Sequence, residues 1–300
     1  MRPVRQVSVI VPSYNSFSTV SYTLASLFEQ QPASLLKEVL VVDSSDDGAT
    51  GPFLETVKHE KLRVVRLPEK TMPALARNLG AQQASGEVLA FIDSDAYAEL
   101  DWLEKIVSAY QRGCRVGGGA ILLPPEQRAR PLALAQYFLQ FSEFMGHAHG
   151  RVRFVPSCNV FCEKKLFDEV GGFPEVRAAE DVLFGARVES LAAFHFDPAI
   201  RVRHIFSETW KRYRTNQTLL GEYALAHRRL NPKSWLHRGP APLLLLPVFA
   251  PVKLFRIASR VCRSGDKELR RAFFRHLPLL LIGLFFLTCG FAKACFKWKY

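Results

Sequence analysis

The chain has 300 residues, of which 48% are hydrophobic, and it carries a formal net charge of +12. This composition supports a sizeable core and excludes a disordered chain, while the length fits one large domain or two modest ones. The charge is uneven, because residues 201–300 hold 20 Lys and Arg against 4 Asp and Glu, and residues 1–200 hold 20 against 24. The basic residues alternate with long apolar runs, which favours an anionic membrane surface over a nucleic acid as partner.

The cysteines and the N-terminus point to a cytoplasmic protein. The six cysteines form no C-x-x-C pair, and no histidine cluster has zinc spacing, so we expect reduced thiols. The apolar run before Pro12 is only four or five residues long, which is too short for the core of a signal peptide. We therefore expect the N-terminal part to stay in the cytoplasm.

The first hundred residues alternate between strand and helix patterns. Val7–Val11 and Glu38–Val42 are apolar throughout and end in small or polar residues, which is typical of strands buried on both faces of a parallel sheet. Helical spacing follows the first of these strands. The elements predicted over this part are a helix at Thr19–Gln30, a strand at Leu62–Leu67, a helix at Ala74–Ala84 and a strand at Val88–Ile92.

The alternation continues to about residue 205. The three consecutive glycines at 117–119 indicate a strand to which another backbone group lies very close. Together these patterns predict a doubly wound α/β sheet with ligands at the carboxyl ends of its strands. The further predicted elements are helices at Asp101–Arg112, Pro131–Phe144, Lys164–Val170 and Ala179–Leu191, and extended segments at Arg115–Leu123, Arg153–Phe161 and Phe194–His204.

The composition changes after about residue 235. Gly239–Val252 and Leu277–Ala292 are uncharged for 14 and 16 residues, which is less than the roughly 20 that a straight membrane-spanning helix needs. Eight basic residues lie between them, from Lys253 to Arg275. We therefore predict a domain at residues 1–235 with its core at about 7–205, followed at 236–300 by basic, apolar helices that lie at the membrane surface.

Aspartates follow two of the predicted strands. Asp43 follows the second strand, and Asp93 and Asp95 come directly after the fourth. Because strand ends are neighbours in such a sheet, three carboxylates would gather in one crevice, and a divalent cation such as Mg²⁺ or Mn²⁺ would offset their repulsion. An isolated Asp-x-Asp also occurs where one aspartate merely caps a turn and the other is solvated.

Six segments in order resemble the family 2 glycosyltransferases. The resemblance covers about residues 7–205 and implies the GT-A fold of nucleotide-diphospho-sugar transferases, a Rossmann-like mixed sheet flanked by helices. The combination is far more specific than any one segment. The segments are SVIVPSYN at 8–15, VLVVDSSDDG at 39–48, ARNLGAQQASG at 76–86, GEVLAFIDSDA at 86–96, GGFPE at 171–175 and AEDVLFGARV at 179–188.

The resemblance assigns the donor site residue by residue. It implies that Pro12, Tyr14 and Asp43 hold the nucleoside and that Arg77 lies near the diphosphate. Asp93 would then face the ribose or the donor sugar.

The metal ion would be Mn²⁺ or Mg²⁺, bound by Asp95. His204 matches in position a histidine that completes the metal shell in some similar enzymes. A lone histidine after a strand is also often an ordinary, partly buried residue.

The resemblance further implies that Asp181 is the catalytic base and that Gly171, Gly172 and Glu180 belong to the acceptor site. Each has a purely structural alternative. Two acidic residues favour the positive N-terminal end of a helix, and a glycine pair ends the helix before it. In both cases the structural and the functional interpretations are compatible.

The resemblance implies a hexosyltransferase that moves sugar from a UDP- or GDP-sugar. The basic, apolar residues at 236–300 imply attachment to the cytoplasmic face of the membrane, so we expect a lipid-linked or glycan acceptor there. The Gln-x-x-Arg-Trp segment of processive relatives is missing, since residues 208–217 hold these residue types in another order, so one sugar would be transferred per binding event. The basic aromatic cluster at 210–214 could bind a pyrophosphate-bearing acceptor or form a solvated, membrane-facing helix. Two other functions stay open, a nucleotidyltransferase of related fold and a non-catalytic membrane adaptor.

Overall fold

The structure is a computed structural model that describes residues 6–146, 150–224 and 241–297. The chain forms two compact units. The first unit comprises residues 1–122 and 148–204, and the second comprises residues 123–147 and 205–300. This division differs from the predicted boundary near residue 235, because the segments at 123–147 and 205–235 carry no sharp change in composition that would mark them as part of the second unit.

The first unit is built on a mixed sheet of nine strands within the described residues. The strands are β1 (Val7–Ser13), β2 (Leu36–Asp43), β3 (Leu62–Arg66), β4 (Val88–Phe91), β5 (Ala96–Ala98), β6 (Val116–Leu122), β7 (Gly150–Val152), β8 (Val160–Glu163) and β9 (Phe194–His204). Their order is β3-β2-β1-β4-β8-β6-β9-β5, and β7 pairs with β9. The sheet confirms the predicted fold class.

The orientation of the strands divides the sheet into two parts. β3, β2, β1 and β4 are all parallel, whereas β8 runs antiparallel to both β4 and β6. β9 is parallel to β6 and antiparallel to β5. The four parallel strands therefore direct their carboxyl ends toward the same edge of the sheet.

Helices cover the sheet between these strands. α1 (Val20–Phe28) buries the apolar positions that its helical spacing predicted, and α3 (Pro73–Gln83) begins with proline at its first position, where no backbone N–H is needed. Both faces of β1 and β2 are buried, as their continuous apolar sequences predicted. The other helices of this unit are α2 (Thr50–Thr56), α4 (Trp102–Gln111), α6 (Lys164–Glu169) and α7 (Glu180–Val188).

One predicted element is wrong in part. Residues 153–161 were expected to be extended, but a 3-10 turn at Ser157–Asn159 separates the short strand β7 from β8. The buried side chain of Asn159 stabilises the turn, since its amide donates to the carbonyl oxygens of Ala120 at 2.9 Å and Ile200 at 3.0 Å. The carbonyl of Asn159 also lies where a side chain at Gly118 would be, which agrees with the close approach predicted at the three glycines.

The second unit is helical in its described residues. It contains α5 (Pro131–Phe141), α8 (Trp210–Tyr223), α9 (Leu246–Arg263), α10 (Lys267–Arg275) and α11 (Leu277–Lys297). α8 and α11 pack closely, because a Cβ atom at Gly221 would collide with the carbonyl of Leu287, and one at Gly290 would collide with the carbonyl of Thr218. The buried Tyr213 hydroxyl also donates to the Leu279 carbonyl at 2.6 Å.

Two segments of this unit are long and apolar enough to cross a membrane by length and composition alone. They are Pro242–Arg263, with 22 residues, and Leu277–Phe296, with 20. Both are longer than the uncharged runs in the sequence because the helices continue past the first charged residue. In the second segment 44% of the most apolar window is buried within the protein, a pattern that a core helix also shows.

Candidate active site

A cavity of about 190 Å³ lies at the carboxyl edge of the four parallel strands. In an open α/β sheet this edge is the usual position of a ligand. Five of the predicted site residues line the cavity, namely Pro12, Tyr14, Arg77, Asp93 and Asp95. The other lining residues, which sequence reasoning missed, are Ser13, Ser44, Thr71, Pro73, Ala76 and Ser94.

Asp93, Asp95 and His204 form an acidic cluster in the first unit. One ligand atom of each residue lies within 4.8 Å of the others, and His204 Nε2 is 3.5 Å from Asp95 Oδ1. Strand pairing creates the cluster, because Ala96 on β5 lies opposite His204 on β9 and so places its neighbour Asp95 beside the imidazole. Two carboxylates and one imidazole are a suitable ligand set for a divalent cation that prefers oxygen.

The two carboxylates of the cluster are not equivalent. Asp95 is 47% exposed, whereas Asp93 is 26% exposed and bonded to Arg77. Desolvation and the Asp93 charge raise the pKa of Asp95, and the nearby His204 opposes this rise. A bound cation would relieve the repulsion between the carboxylates.

Arg77 joins the acidic cluster to the predicted base segment. Its guanidinium is buried and donates to Asp93 Oδ1 at 2.5 Å and to Glu180 Oε1 at 2.9 Å. Although burial disfavours the charge, Asp93 and Glu180 together raise the pKa of Arg77. The ring of Phe173 lies 5.7 Å from the guanidinium carbon, which adds a cation–π contact. Arg77 therefore fixes two carboxylates from distant parts of the chain.

The predicted catalytic base, Asp181, lies in the first turn of α7 beside Glu180. The backbone N–H of Val182 donates to Asp181 Oδ1 at 2.8 Å, while Ser157 Oγ donates to Glu180 Oε1 at 3.0 Å. Burial, and then the charge of Glu180, raise the pKa of Asp181 to about 7. A carboxylate with a pKa near neutrality is suited to accept a proton from a substrate.

The glycine pair ends α6 and starts a loop that Asn78 holds. Gly171 and Gly172 have φ values of +75° and +65°, which favour glycine, and their N–H groups bond to carbonyls of the last helical turn. Asn78 accepts from the Phe173 N–H at 2.9 Å and donates to the Phe173 carbonyl at 2.8 Å. The pair has the structural role, while its part in acceptor binding stays a prediction.

Asp43 is fully buried and is not among the residues that line the cavity. Its carboxylate accepts from Ser13 Oγ at 2.8 Å and Ser45 Oγ at 2.5 Å, and it forms an ion pair with Arg66 at the end of β3. In this structure Asp43 organises the strand ends below the surface. Its contact with the nucleoside stays a prediction.

Tyr14 is placed by polar contacts that the sequence did not reveal. Its hydroxyl donates to Asp46 Oδ2 at 3.1 Å, and Lys70 Nζ lies 4.1 Å from the centre of its ring. The missed partners Arg66 and Lys70 had one recognisable signal, since both come at or just after the end of a predicted strand. Asn78 and Ser157 gave no such signal.

The mixed α/β sheet, with Asp93 and Asp95 directly after one of its parallel strands, has the arrangement expected of the GT-A fold. The sequence matches glycosyl transferase family 2 over residues 8–171, which is more than half of the chain, and the protein belongs to that family.

Its curated relatives match only in part. The glycosyltransferase AglE of Haloferax volcanii is 27% identical over 172 residues, 56% of each chain. N-acetylgalactosaminyltransferase 6 of Drosophila melanogaster is 42% identical over 106 residues, or 34% of this chain and 16% of that protein. The chain thus spans less than two thirds of the length of these relatives.

Solved structures support the fold over nearly the whole chain. The mannosyltransferase PcManGT from Pyrobaculum calidifontis, in complex with GDP-Man and Mn²⁺, is 18% identical with a TM-score of 0.64, covering 99% of this chain and 89% of that one. S. aureus TarS 1-349, in complex with UDP-GlcNAc, is 20% identical with a TM-score of 0.55 and covers 96% and 90%. Both similarities establish the fold.

Proposed function

We propose that the protein transfers one sugar from a nucleotide-diphosphate sugar to a hydroxyl or phosphate of a membrane-proximal, lipid-linked acceptor. The reaction depends on a divalent metal, Mn²⁺ or Mg²⁺, and inverts the configuration of the sugar. Membership of glycosyl transferase family 2 supports the transfer of a sugar. GDP-Man or UDP-GlcNAc is bound in the two structures named above, which supports a GDP- or UDP-sugar as donor.

One observation carries this proposal. The ligand atoms of Asp93, Asp95 and His204 lie within 4.8 Å of one another, and both aspartates line the same cavity as Pro12, Tyr14 and Arg77. In this arrangement a nucleoside in the cavity would have its diphosphate next to the acidic cluster. Asp95 and His204 would hold the metal ion, which neutralises charge on the leaving diphosphate when it is bound.

The residues of the chain supply the rest of the mechanism. The acceptor oxygen attacks the anomeric carbon, the bond from that carbon to the diphosphate oxygen breaks, and the nucleoside diphosphate leaves with the bonding electrons. Asp181 takes the proton from the acceptor, for which a pKa of about 7 is well suited. Arg77 holds Glu180 in place beside this base, and it holds Asp93 in the cavity. Attack opposite the leaving group inverts the anomeric centre.

The second unit supports an acceptor at a membrane. α9 starts with an apolar stretch and continues with Lys253, Arg256, Arg260 and Arg263, and large apolar side chains on its surface are exposed, with Phe255 at 74%. Such a helix fits the membrane interface with its basic residues at anionic headgroups. We propose that this unit attaches the protein to the cytoplasmic face of the membrane.

The test measures nucleoside diphosphate release from a panel of UDP- and GDP-sugars with Mn²⁺ or Mg²⁺. We expect release with one donor class, and its loss on chelation of the metal or in Asp95→Asn and Asp181→Asn. Glu104→Gln is the matched control, since Glu104 is 52% exposed on α4. Release that continues at the wild-type rate in Asp181→Asn would contradict its role, and no release with any donor would favour the membrane adaptor.

A second arm tests the acceptor. Lipid-extracted membranes and native membranes are compared as acceptor sources, with a radiolabelled donor of the class identified above. Label that appears in the organic phase supports a lipid-linked acceptor. Label that stays in the added nucleotide sugar would count against transfer, and label that appears only in soluble glycans would overturn the membrane part of the proposal. Formation of a nucleotide sugar from a labelled sugar 1-phosphate and a nucleoside triphosphate, with release of pyrophosphate, would instead support a nucleotidyltransferase.

A further inference from the structure

A second cavity, of about 440 Å³, lies within the second unit, and none of the donor, metal, base or acceptor residues assigned above lines it. Its walls come from α5, the 3-10 turn at Ser142–Phe144, and α9. We propose that this cavity binds the phosphate headgroup of an anionic membrane phospholipid, with part of an acyl chain along its apolar wall. The inference rests on the proposed function only in that both place the second unit at a membrane.

The charge of the cavity identifies the headgroup. α9 contributes three basic residues, Lys253, Arg256 and Arg260, at helical spacing that places them on one side. Arg260 is paired, because it donates to Glu143 Oε2 at 2.6 Å. Among the described residues Lys253 and Arg256 have no hydrogen-bond or ion-pair partner within 4 Å. The lining thus holds three basic side chains and one acidic side chain, Glu143, which is already paired with Arg260, so the cavity is suited to an anion with several acceptor oxygens.

A polar atom in the wall also lacks a partner. Gln140 lines the cavity, and its side-chain nitrogen is buried without a hydrogen-bond partner in the described part of the chain. A buried amide donor that stays unpaired destabilises a protein, so a side-chain rotation that brings it to a bound acceptor in the cavity would be favoured. A phosphate group has oxygens that can accept this hydrogen bond, and its negative charge would pair with Lys253 and Arg256.

The apolar wall identifies the rest of the ligand. Val248 and Val252 line the cavity from the apolar, N-terminal part of α9, and they are 50% and 45% exposed. Phe249 and Ile257 line it as well. The apolar lining therefore continues onto the exposed apolar surface of α9. An amphiphile would contact both the basic side chains and the apolar wall of the cavity, whereas free phosphate would contact only the basic side chains.

The test uses the full chain in a neutral maltoside detergent, titrated with short-chain dihexanoyl phosphatidic acid and followed by calorimetry. Dihexanoyl phosphatidylcholine has the same chains with a zwitterionic headgroup, and inorganic phosphate has the headgroup oxygens alone. We expect phosphatidic acid to bind at least about tenfold more tightly than either, since both the charge and the chain contribute. Equal affinity for phosphatidylcholine or for inorganic phosphate would overturn the proposal.

Variants connect this binding to the cavity. Lys253→Gln with Arg256→Gln should weaken the binding of phosphatidic acid by about tenfold or more. Arg256→Glu alone should do the same without removing a hydrogen bond or ion pair within the described residues. The matched control is Arg270→Gln with Arg271→Gln, which removes two exposed positive charges from α10 outside the cavity. An equal loss of affinity in the control would show that the general positive charge of the surface, and not this cavity, binds the lipid, and it would overturn the proposed site. Donor turnover in the same preparations is scored separately, so failed catalysis with intact lipid binding counts only against the proposed transferase.

Discussion

Arg77 donates a hydrogen bond of 2.5 Å to Asp93 Oδ1 from a position where the guanidinium is buried. The same side chain bonds to Glu180, which is 103 residues further along the chain. One cation on α3 thus couples the carboxylates after β4 to the first turn of α7. A buried charge of this kind is stable only while its partners are present, which leads to the first prediction.

Replacement of Arg77 by methionine should lower the free energy of unfolding by about 3–5 kcal/mol, because it leaves two carboxylates in a desolvated site without their cation. Arg112→Met is the matched control, since Arg112 is 60% exposed and pairs with Asp197 at 3.1 Å. An exposed pair contributes at most about 1 kcal/mol. Urea denaturation measures the free energy of unfolding of both variants. Equal losses of stability would show that the buried network contributes no more than an exposed ion pair.

Replacement of Asp95 by asparagine should raise the metal concentration for half-maximal activity by about tenfold or more. The reason is that asparagine removes one negative charge and one carboxylate ligand from the cluster. His204→Ala should have a smaller effect in the same direction. Asp93→Asn should chiefly raise the Michaelis constant for the donor. Asp101→Asn removes a carboxylate from the start of α4, and its unchanged metal titration serves as the control.

The rate of transfer should fall as the pH falls through about 7, because Asp181 must be deprotonated to accept a proton from the acceptor. Since burial and the charge of Glu180 raise the pKa of Asp181, Glu180→Gln should move the acid limb of the pH–rate profile to lower pH. Glu104→Gln, at an exposed position on α4, should leave the limb in place. A profile of the Glu180→Gln enzyme that coincides with that of the wild type would contradict the coupling.

Glu38 should make the first unit sensitive to acid. Although burial opposes its charge, hydrogen bonds from Ser85, Arg63 and Ser8 lower the pKa of Glu38 from 4.5 to about 2. A pKa that is lower in the folded state gives a stabilisation that is complete above 4.5 and is lost as the pH falls to about 2.

Glu38→Gln should therefore reduce the stability at pH 7 by about 1–3 kcal/mol and flatten its pH dependence in that window. Urea midpoints at several pH values measure this effect. Glu55→Gln, at an exposed position on α2, should change neither quantity.

Replacement of Gly290 by alanine should destabilise the second unit by about 1–3 kcal/mol, because the new Cβ atom would collide with the carbonyl of Thr218 on α8. Cys289→Ala, at an exposed position one residue earlier on α11, should have little effect. Thermal unfolding followed by circular dichroism measures both. If the two variants unfold at the same temperature, α8 and α11 do not approach as closely in solution as the contact between Gly290 and Thr218 implies.

Local sequence patterns were sufficient for most of the first unit. Continuous apolar runs predicted β1 and β2 because both faces of these strands are buried, and helical spacing predicted α1. The short elements β5 and β7 were missed because three residues are too few to show a period. The turn at Ser157–Asn159 was missed because its stability comes from the buried bonds of Asn159 to residues far along the chain.

The sequence alone determined the family, the carboxylates at the strand ends and the basic, apolar C-terminal helices, since short motifs and composition carry those features. Tertiary structure decided which side chains meet. It placed His204 beside Asp95 through the pairing of β5 with β9, and it buried Asp43 against Arg66. It also assembled a cavity from α5 and α9, which are more than one hundred residues apart. Contacts between distant residues depend on packing in three dimensions, and no local pattern of residues encodes them.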